Sequence, residues 1–363
     1  MKIRAAVFRE GSEAPAIEEL ELTGPGPGEV LVRIVATGVC HTDIKAAGAQ
    51  SPIPRPVVLG HEGAGVVEAV GDGVTKVSKG DHVVMTFDSC GHCPSCLAAE
   101  PAYCHTHDSF NCRREDGSHY LHAGDEPVFG DFFKQSSFAT YAIGTQRNVI
   151  KVPREAPLER LGPLGCGVQT GAGAALNDLK IAPGDTFAVM GVGTLGLSAI
   201  MAARFAGAGR IVAVDRHSNR LNLASELGAD ETILAGDDPV GDAIMGHLSG
   251  GADCVLDTTG VLTVMRQALD VLAPRGRCGF VTGPWDGSEL AINVRHLMAG
   301  RTIRGIIQGG SNPDRFIPML VELNAKGDFP FDRLIKFYEL DDIAAAIHDS
   351  ESGETIKPVL RIG

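Results

Sequence analysis

The feature that most constrains the fold is a strand, glycine turn, helix and strand over residues 187–215. The first strand is apolar, the turn at 191–196 reads GVGTLG, the helix runs to about residue 206, and the second strand ends in Asp215. An acid about 20 residues beyond such a turn is placed to accept hydrogen bonds from an adenosine ribose. The pattern predicts a βαβ unit that binds a dinucleotide.

Glycine is needed at three positions of this turn, each for a different physical reason. Gly191 permits the tight turn, Gly193 lets the backbone approach a pyrophosphate at the positive end of the helix, and Gly196 lets helix and strand pack closely. Thr194 and Leu195 lie between these glycines at the start of the helix and are predicted cofactor contacts.

The charges that follow the second strand bear on the choice of dinucleotide. A carboxylate at Asp215 would repel the 2′-phosphate of NADP, so NAD is predicted. Arg216 could accept that phosphate, which keeps NADP open as an alternative, and Arg220 is expected beside the ribose.

The rhythm of predicted elements changes along the 363 residues. Up to about residue 160 short strands are broken by glycine and proline, which predicts a β-barrel-like domain. From about 168 strands and helices alternate, ending with a strand near 302–308, as in a doubly wound parallel sheet. We therefore predict an α/β protein with a first domain of residues 1–167 and 308–363 around a second domain of residues 168–307.

Charge and hydropathy exclude several classes of function. The net charge of -13 at pH 7 would repel nucleic acid and anionic membranes. The uncharged run 187–203 is too short for a membrane span and is interrupted by glycines. No apolar signal core follows the N-terminus, so we expect a cytoplasmic protein.

Four of the nine cysteines stand close together, at Cys90, Cys93, Cys96 and Cys104. In a cytoplasmic chain such spacing indicates metal binding more than disulfides. Four thiolates on one loop fill the tetrahedral shell of zinc, so the site is predicted to be structural. The histidines nearby are then bystanders: His92, His105 and His107.

A second group is dispersed along the sequence and consists of Cys40, His61 and Cys166. Each residue stands beside glycine at a predicted strand end, where side chains can converge on a cleft. Two thiolates and one imidazole leave a tetrahedral position open, the pattern of a catalytic zinc. From spacing alone a structural role for each residue stays open.

These motifs, in this order, resemble the zinc-dependent medium-chain alcohol dehydrogenases. They are GVCHTD at 38–43, GHEGAG at 60–65, the four-cysteine loop, GCGVQTG at 165–171, and the glycine turn with its acid. The resemblance spans nearly the whole chain. It implies a GroES-like catalytic domain split around a Rossmann domain, NAD as cofactor, and two zinc ions, one of them held by Cys40, His61 and Cys166.

The resemblance also assigns roles near the catalytic zinc. Zinc lowers the pKa of bound water from about 15.7 to about 7, and a bound alcohol benefits similarly. Thr42 would relay the alcohol proton, but the relay histidine of many relatives is replaced by Lys45, so the exit route stays open. Asp43 is expected to orient His61, with a turn cap as the alternative.

Four further positions follow from the resemblance. Glu62 is implied to lie behind the metal, with a solvated strand end as the alternative. His41 and Lys357 occupy positions that in relatives meet cofactor phosphates, although surface roles are nearly as plausible. Thr170, in the GCGVQTG motif, is a further predicted cofactor contact.

The predicted substrate rests on aromatic residues. The stretch FKQSSFA at 133–139 resembles aryl and allylic alcohol dehydrogenases, and an apolar pocket suits a flat primary alcohol. Core packing is the alternative for these rings. The aromatic residues in question are Phe110, His119, Tyr120, Phe129, Phe132, Phe133 and Phe138.

Other functions stay open at this stage. A glutathione-dependent formaldehyde dehydrogenase and a short-chain aliphatic alcohol dehydrogenase fit the same motifs. A polyol dehydrogenase fits less well, because relatives of that type usually carry a carboxylate at the position of Cys166. A non-catalytic nucleotide-binding relative is the alternative from another class. The apolar strand near 302–308 predicts a homodimer or homotetramer through its edge.

Overall fold

The computed structural model describes residues 1–12, 14–48, 51–107, 112, 114, 116–284 and 287–363. The chain forms two compact units. The first comprises Met1–Cys166, Asn312–Ala325 and Asp332–Gly363, and the second comprises Gly167–Ser311 and Lys326–Phe331. Each unit has its own sheets and its own apolar core.

The strands in the described residues are β1 Lys2–Phe8, β2 Ala16–Leu22, β3 Glu29–Gly38, β4 Val57–Val58, β5 Gly63–Val70, β6 His82–Met85, β7 Leu121–Ala123, β8 Glu126–Val128, β9 Tyr141–Thr145, β10 Val149–Lys151, β11 Thr186–Met190, β12 Arg210–Asp215, β13 Glu231–Leu234, β14 Ala252–Asp257, β15 Leu272–Phe280, β16 Thr302–Gly305, β17 Ile335–Glu339 and β18 Lys357–Arg361. The α-helices are α1 His41–Ala47, α2 Pro94–Leu97, α3 Gly167–Gly173, α4 Thr194–Phe205, α5 Ser218–Glu226, α6 Gly241–His247, α7 Leu262–Asp270, α8 Val294–Leu297, α9 Pro313–Lys326 and α10 Ile343–Glu351.

The first unit contains two sheets, ordered β4-β1-β2-β7-β8 and β10-β6-β5-β3-β18-β17, with β9 also paired to β3. The register around β3 matters most for function. Thr37 lies opposite Gly63 of β5, and Gly38 lies opposite Val359 of β18. The segments that follow β3, precede β5 and begin β18 therefore meet at one end of the sheet.

The second unit is built on a six-stranded parallel sheet ordered β13-β12-β11-β14-β15-β16. β11 pairs in parallel with both β12 and β14, so the strand order reverses beside it. In open sheets of this type ligands bind outside the carboxyl ends of the strands at this reversal. The α/β fold class predicted from the sequence is confirmed.

One predicted strand boundary was wrong. β16 ends at Gly305 rather than near 308, because Gln308 and Gly309 have φ of 50° and 63°, a left-handed backbone that cannot continue a strand. After residue 308 the chain forms the 14-residue helix α9, whose buried face includes Phe316 and Leu320 at helical spacing.

Within the described residues no helix is both long enough and apolar enough to cross a membrane.

Candidate functional site

The four clustered thiols converge on one point. The sulfur atoms of Cys90, Cys93, Cys96 and Cys104 all lie within 4.8 Å of one another. Backbone amides donate to three of them: Cys93 to the Cys90 sulfur at 3.3 Å, His105 to the Cys93 sulfur at 3.5 Å, and Cys90 to the Cys104 sulfur at 3.3 Å. Such amides stabilise thiolates around a structural zinc.

The ionisation of these thiols also fits a bound cation. Backbone hydrogen bonding, chiefly from His92, lowers the pKa of Cys90 to about 6. Burial, together with the neighbouring thiols, raises the pKa of Cys96 to about 12. A thiolate at Cys96 at neutral pH therefore needs a cation beside it. The ring of His92 contacts the backbone of the loop: its Nδ1 lies 2.9 Å from the Cys90 carbonyl oxygen.

The dispersed group also converges, and Glu62 lies within it. Cys40, His61, Glu62 and Cys166 each offer a ligand atom within 4.8 Å of the others. Cys40 follows β3 and begins α1, His61 and Glu62 precede β5, and Cys166 ends the turn Gly162–Gly165. The pairing of β3 with β5 brings Cys40 close to His61 and Glu62, and a hydrogen bond from Thr86 to the Gly165 carbonyl oxygen at 2.6 Å fixes the turn before Cys166.

The imidazole of His61 provides the test of whether a metal fits. The side chain is fully buried, and Nδ1 lies 2.8 Å from Asp43 Oδ1. Nε2 is buried and has no hydrogen-bond partner among the described residues. An unpaired buried nitrogen is costly unless it binds a metal. A proton on Nδ1, donated to Asp43, leaves the Nε2 lone pair available beside the two thiols, so the donor set fits zinc.

Asp43 connects both ligand segments. Its Oδ1 accepts a second hydrogen bond, from the Gly60 amide at 3.1 Å, and its Oδ2 accepts from the Cys40 amide at 2.8 Å. The carboxylate therefore caps α1 and orients His61 at the same time, and the two roles considered for it are not exclusive.

Glu62 and Lys357 form a buried ion pair behind the thiols. Nζ of Lys357 lies 3.0 Å from both carboxylate oxygens and 3.0 Å from the Val39 carbonyl. Glu62 is 0% exposed and Lys357 2%, which excludes a solvated strand end for the first and a surface role for the second. Contact of Lys357 with a cofactor phosphate stays a prediction.

The pair has strongly shifted ionisation. Burial raises the pKa of Glu62 to about 7, against the lowering effect of Lys357. Burial by itself lowers the pKa of Lys357, but the Glu62 carboxylate outweighs it, and the net pKa is raised. A Cβ at Gly38 would overlap the Glu62 carboxylate, so the glycine is needed to make room for it.

The first turn of α1 carries the other residues predicted near this centre. Thr42 is half-buried, whereas His41 and Lys45 are exposed. Lys45 therefore reaches solvent, whereas Lys357 is buried.

Two of the predicted aromatic residues contact His61. The Phe133 ring stacks on the imidazole with centroids 4.6 Å apart and an angle of 22°, and Phe132 meets it edge-on at 5.5 Å and 80°. Phe132 also belongs to the apolar core, together with Tyr120 and Phe138, and Phe133 packs against it. His119 and Phe129 contact each other edge-on. Phe110 lies outside the described residues.

Sequence reasoning missed two residues here. Gln135 is 0% exposed and hydrogen-bonds the backbone on both sides of Glu62, and Phe87 is buried with its ring 6.2 Å from that of His107. Phe87 stands only three residues before the cysteine loop, a proximity that could have indicated it. No feature of the sequence around Gln135 indicated that its side chain contacts the backbone next to Glu62.

The glycine turn has the geometry predicted for a phosphate-binding turn. Gly191 has φ of 87°, and a Cβ there would lie 2.5 Å from Thr258 Oγ1. A Cβ at Gly196 would collide with the Gly191 carbonyl oxygen. Gly193 is the N-cap of the 12-residue helix α4. A Cβ there would have a single neighbour within 4 Å, Arg220 Nη1 at 4.0 Å, so the space beside it is open. That space at a helix N-terminus suits a pyrophosphate.

Asp215 lies at the carboxyl end of β12 beside this turn. Its Oδ2 accepts from the Val192 amide at 2.7 Å, and its Oδ1 accepts from the His217 amide at 2.9 Å. Arg220 Nη1 is 4.0 Å from the carboxylate, while Arg216 is exposed. Within the same unit, Thr170 on α3 donates to Gln308 Oε1 at 3.4 Å.

Comparison with known proteins decides the family. Residues 26–154 match the alcohol dehydrogenase GroES-like domain, and residues 194–325 match the zinc-binding dehydrogenase domain. The chain is 43% identical over 366 residues to geraniol dehydrogenase from Castellaniella defragrans, covering 98% of this chain and 97% of the relative. The chain belongs to the zinc-dependent medium-chain alcohol dehydrogenases.

Solved structures of this dehydrogenase family agree. An alcohol dehydrogenase zinc-binding domain protein from Burkholderia ambifaria has a TM-score of 0.98 and 49% identity, covering 100% of this chain and 99% of that one. Benzyl alcohol dehydrogenase from Acinetobacter calcoaceticus has a TM-score of 0.96 and 42% identity, covering 100% of both chains. The predictions of a GroES-like and a Rossmann domain, of zinc and NAD, and of an alcohol dehydrogenase rather than a non-catalytic relative are confirmed.

Proposed function

We propose that this dehydrogenase oxidises a primary aryl or allylic alcohol to its aldehyde, reversibly and with NAD, at a zinc ion held by Cys40, His61 and Cys166. The observation that carries the zinc assignment is the buried, unpaired Nε2 of His61, grouped with two thiols. A second zinc is assigned to the four-cysteine loop.

The chemistry follows from these residues. When bound, zinc is a Lewis acid that lowers the pKa of a coordinated hydroxyl group. Two thiolates and one imidazole leave a position open for such a hydroxyl group. Thr42, two residues after Cys40, would act as a relay: its hydroxyl accepts the alcohol proton while it gives its own proton to water, and NAD takes up the hydride. It is not itself the base, because the pKa of a hydroxyl group is too high. Asp43 holds His61 in the tautomer that leaves Nε2 available.

The proposed substrate class rests on two lines of support. Two similar proteins are named for geraniol and for benzyl alcohol. Phe132 and Phe133 place apolar aromatic surface against His61 itself. Such surface favours an unsaturated or aromatic substituent next to the reacting carbon over a small aliphatic one.

Steady-state rates with NAD test this directly. We expect kcat/KM for benzyl, cinnamyl or geranyl alcohol to exceed that for ethanol by at least about 100-fold, because each added methylene in an apolar pocket changes the ratio by about 10- to 200-fold. A higher kcat/KM for ethanol or for S-hydroxymethylglutathione would contradict the aryl or allylic assignment and favour one of the other two enzyme types.

The preference for NAD is assigned to Asp215. Replacing it with alanine removes charge-assisted hydrogen bonds to the ribose, worth about 1.5–3 kcal/mol, and should raise KM for NAD roughly 10- to 100-fold. KM for NADP should change less, because repulsion of its 2′-phosphate is lost together with the hydrogen bonds. Arg216→Ala is the control and should weaken only NADP. Equal losses for both cofactors in Asp215→Ala would contradict the assignment.

We also infer a homodimer, or a dimer of dimers, formed through the second unit. β16 ends the order of the six-stranded sheet, and large apolar side chains near it are exposed, among them Met298 at 81% and Val294 at 69%. Sedimentation equilibrium showing only the 38.0 kDa monomer would contradict this. None of the nine cysteines forms a disulfide, and six of them belong to the two groups that could hold metal, as expected of a protein in the reducing cytoplasm.

A further inference from the structure

The segment 131–136 has an unusual backbone. Four of its six residues are non-glycine residues with positive φ: Asp131 at 61°, Phe133 at 51°, Lys134 at 55° and Ser136 at 51°. Side chains disfavour this region, and such conformations persist only where the surroundings impose them. A run of this kind therefore requires strong local constraints.

Buried side chains of the segment supply part of those constraints. Gln135 donates through Nε2 to the carbonyl oxygens of His61 at 2.9 Å and Thr86 at 3.1 Å, and its Oε1 accepts from the Gly63 amide at 3.1 Å. Ser136 donates to the Val58 carbonyl at 2.7 Å and accepts from the Phe132 amide at 3.0 Å. Both side chains are at most 2% exposed.

Asn148 fixes the same segment from outside it. Its Nδ2 is within 3.2 Å of the Phe133 carbonyl and within 2.9 Å of the Lys134 carbonyl, two of the residues with positive φ. Asn148 is itself 0% exposed. The left-handed turn is thus bonded on both sides, and its conformation presents the Phe133 ring to His61.

His61 is consequently held at three places. Asp43 binds Nδ1, Gln135 binds the main-chain carbonyl, and the Phe133 ring lies nearly parallel to the imidazole at 4.6 Å. Phe132 supports the Phe133 ring edge-on, with centroids 5.0 Å apart and an angle of 77°. A hydrogen bond at Nδ1 alone still permits the ring to tilt about the bond direction, whereas a stacked face prevents it.

We propose that segment 131–136 is a positioning clamp for the metal ligand His61, in which Phe133 fixes the plane of the imidazole and Gln135 fixes its backbone. The clamp rests on the proposed zinc site of Cys40, His61 and Cys166. Its function is to keep the Nε2 lone pair directed at the ion, so its loss weakens metal retention before it affects the rest of the fold. Phe133 and Gln135 are positioning residues, acting through His61.

The test compares zinc release to a chromophoric chelator from the purified enzyme and four variants: Phe133→Leu, Phe133→Met, Phe133→Tyr and Phe129→Leu. Phe129 is the matched control, because it is half-buried like Phe133 but contacts His119 instead of His61. The four-cysteine site serves as an internal reference within every sample. Phe133→Met is a second variant without the aromatic ring, for use if Phe133→Leu does not fold.

We expect Phe133→Leu and Phe133→Met to release the zinc of the dispersed group roughly 10-fold faster, as outer-shell changes commonly weaken metal binding by about 10- to 100-fold. Phe133→Tyr, which keeps the stacked ring, should remain near the wild-type rate, and Phe129→Leu should not change it. Release from the four-cysteine site should be unaffected in all variants.

A second measurement separates positioning from general loosening. In the cobalt-substituted enzyme, the visible spectrum should shift in Phe133→Leu and remain unchanged in Phe129→Leu. Equal release rates in Phe133→Leu and wild type, or equal acceleration in Phe129→Leu, would overturn the clamp while leaving the proposed function intact. A wild-type enzyme that binds only one zinc would instead overturn the proposed zinc site.

Discussion

Replacing His61 with alanine should remove one of two zinc ions per chain and reduce kcat/KM by at least about 10⁴-fold. The zinc loses its only nitrogen ligand in the set of Cys40, His61 and Cys166, and two thiols with Glu62 remain. A Lewis acid at the reacting oxygen contributes several kcal/mol to catalysis, and each 1.36 kcal/mol is a factor of ten in rate. Metal analysis by mass spectrometry and steady-state rates measure the two effects on the same samples.

The control for this change is His92→Ala. His92 lies within the four-cysteine loop, but its ring nitrogen Nδ1 pairs with the Cys90 carbonyl oxygen, at 2.9 Å. This variant should keep two zinc ions and near-normal rates. Retention of both ions and of activity in His61→Ala would rule out the proposed centre.

Lys357→Met should lower the free energy of unfolding by about 3–5 kcal/mol, because it leaves the buried Glu62 carboxylate without its counter-charge. The loss is a large part of the total stability of an ordinary domain. Both side chains are almost completely buried, so solvent screening does not reduce the effect. Urea unfolding followed by circular dichroism at pH 8, where Glu62 is ionised in the wild type, gives the measurement.

The double variant Glu62→Gln/Lys357→Met provides the matched control. It removes both charges while keeping similar volumes, and it should recover most of the lost stability, since the cost arises from the unpaired charge and not from the missing pair. If the double variant is as unstable as Lys357→Met, packing and the hydrogen bond to Val39 matter more than charge.

The functional residues of this protein differ greatly in how far the sequence alone indicates their positions. The four-cysteine loop and the glycine turn are local: their ligands or their functional backbone lie within a few residues, so spacing alone indicates the geometry. The aromatic residues predicted to line a substrate pocket have different positions in the structure. Phe132, Tyr120 and Phe138 all belong to the apolar core, but Phe132 and the half-buried Phe133 also contact His61. Alternation along the chain does not distinguish these outcomes.

The sequence by itself determined the alternation of strands and helices, the dinucleotide-binding turn with Asp215, and the tetrahedral set of four thiols. Only the tertiary structure decided that Lys357 is buried against Glu62 and that segment 131–136 contacts His61. The physical reason is the register of β3 with β5 and β18, together with the left-handed turn at 131–136. Long-range pairing of this kind depends on which strands are neighbours, a property of the folded sheet that no local pattern of residues contains.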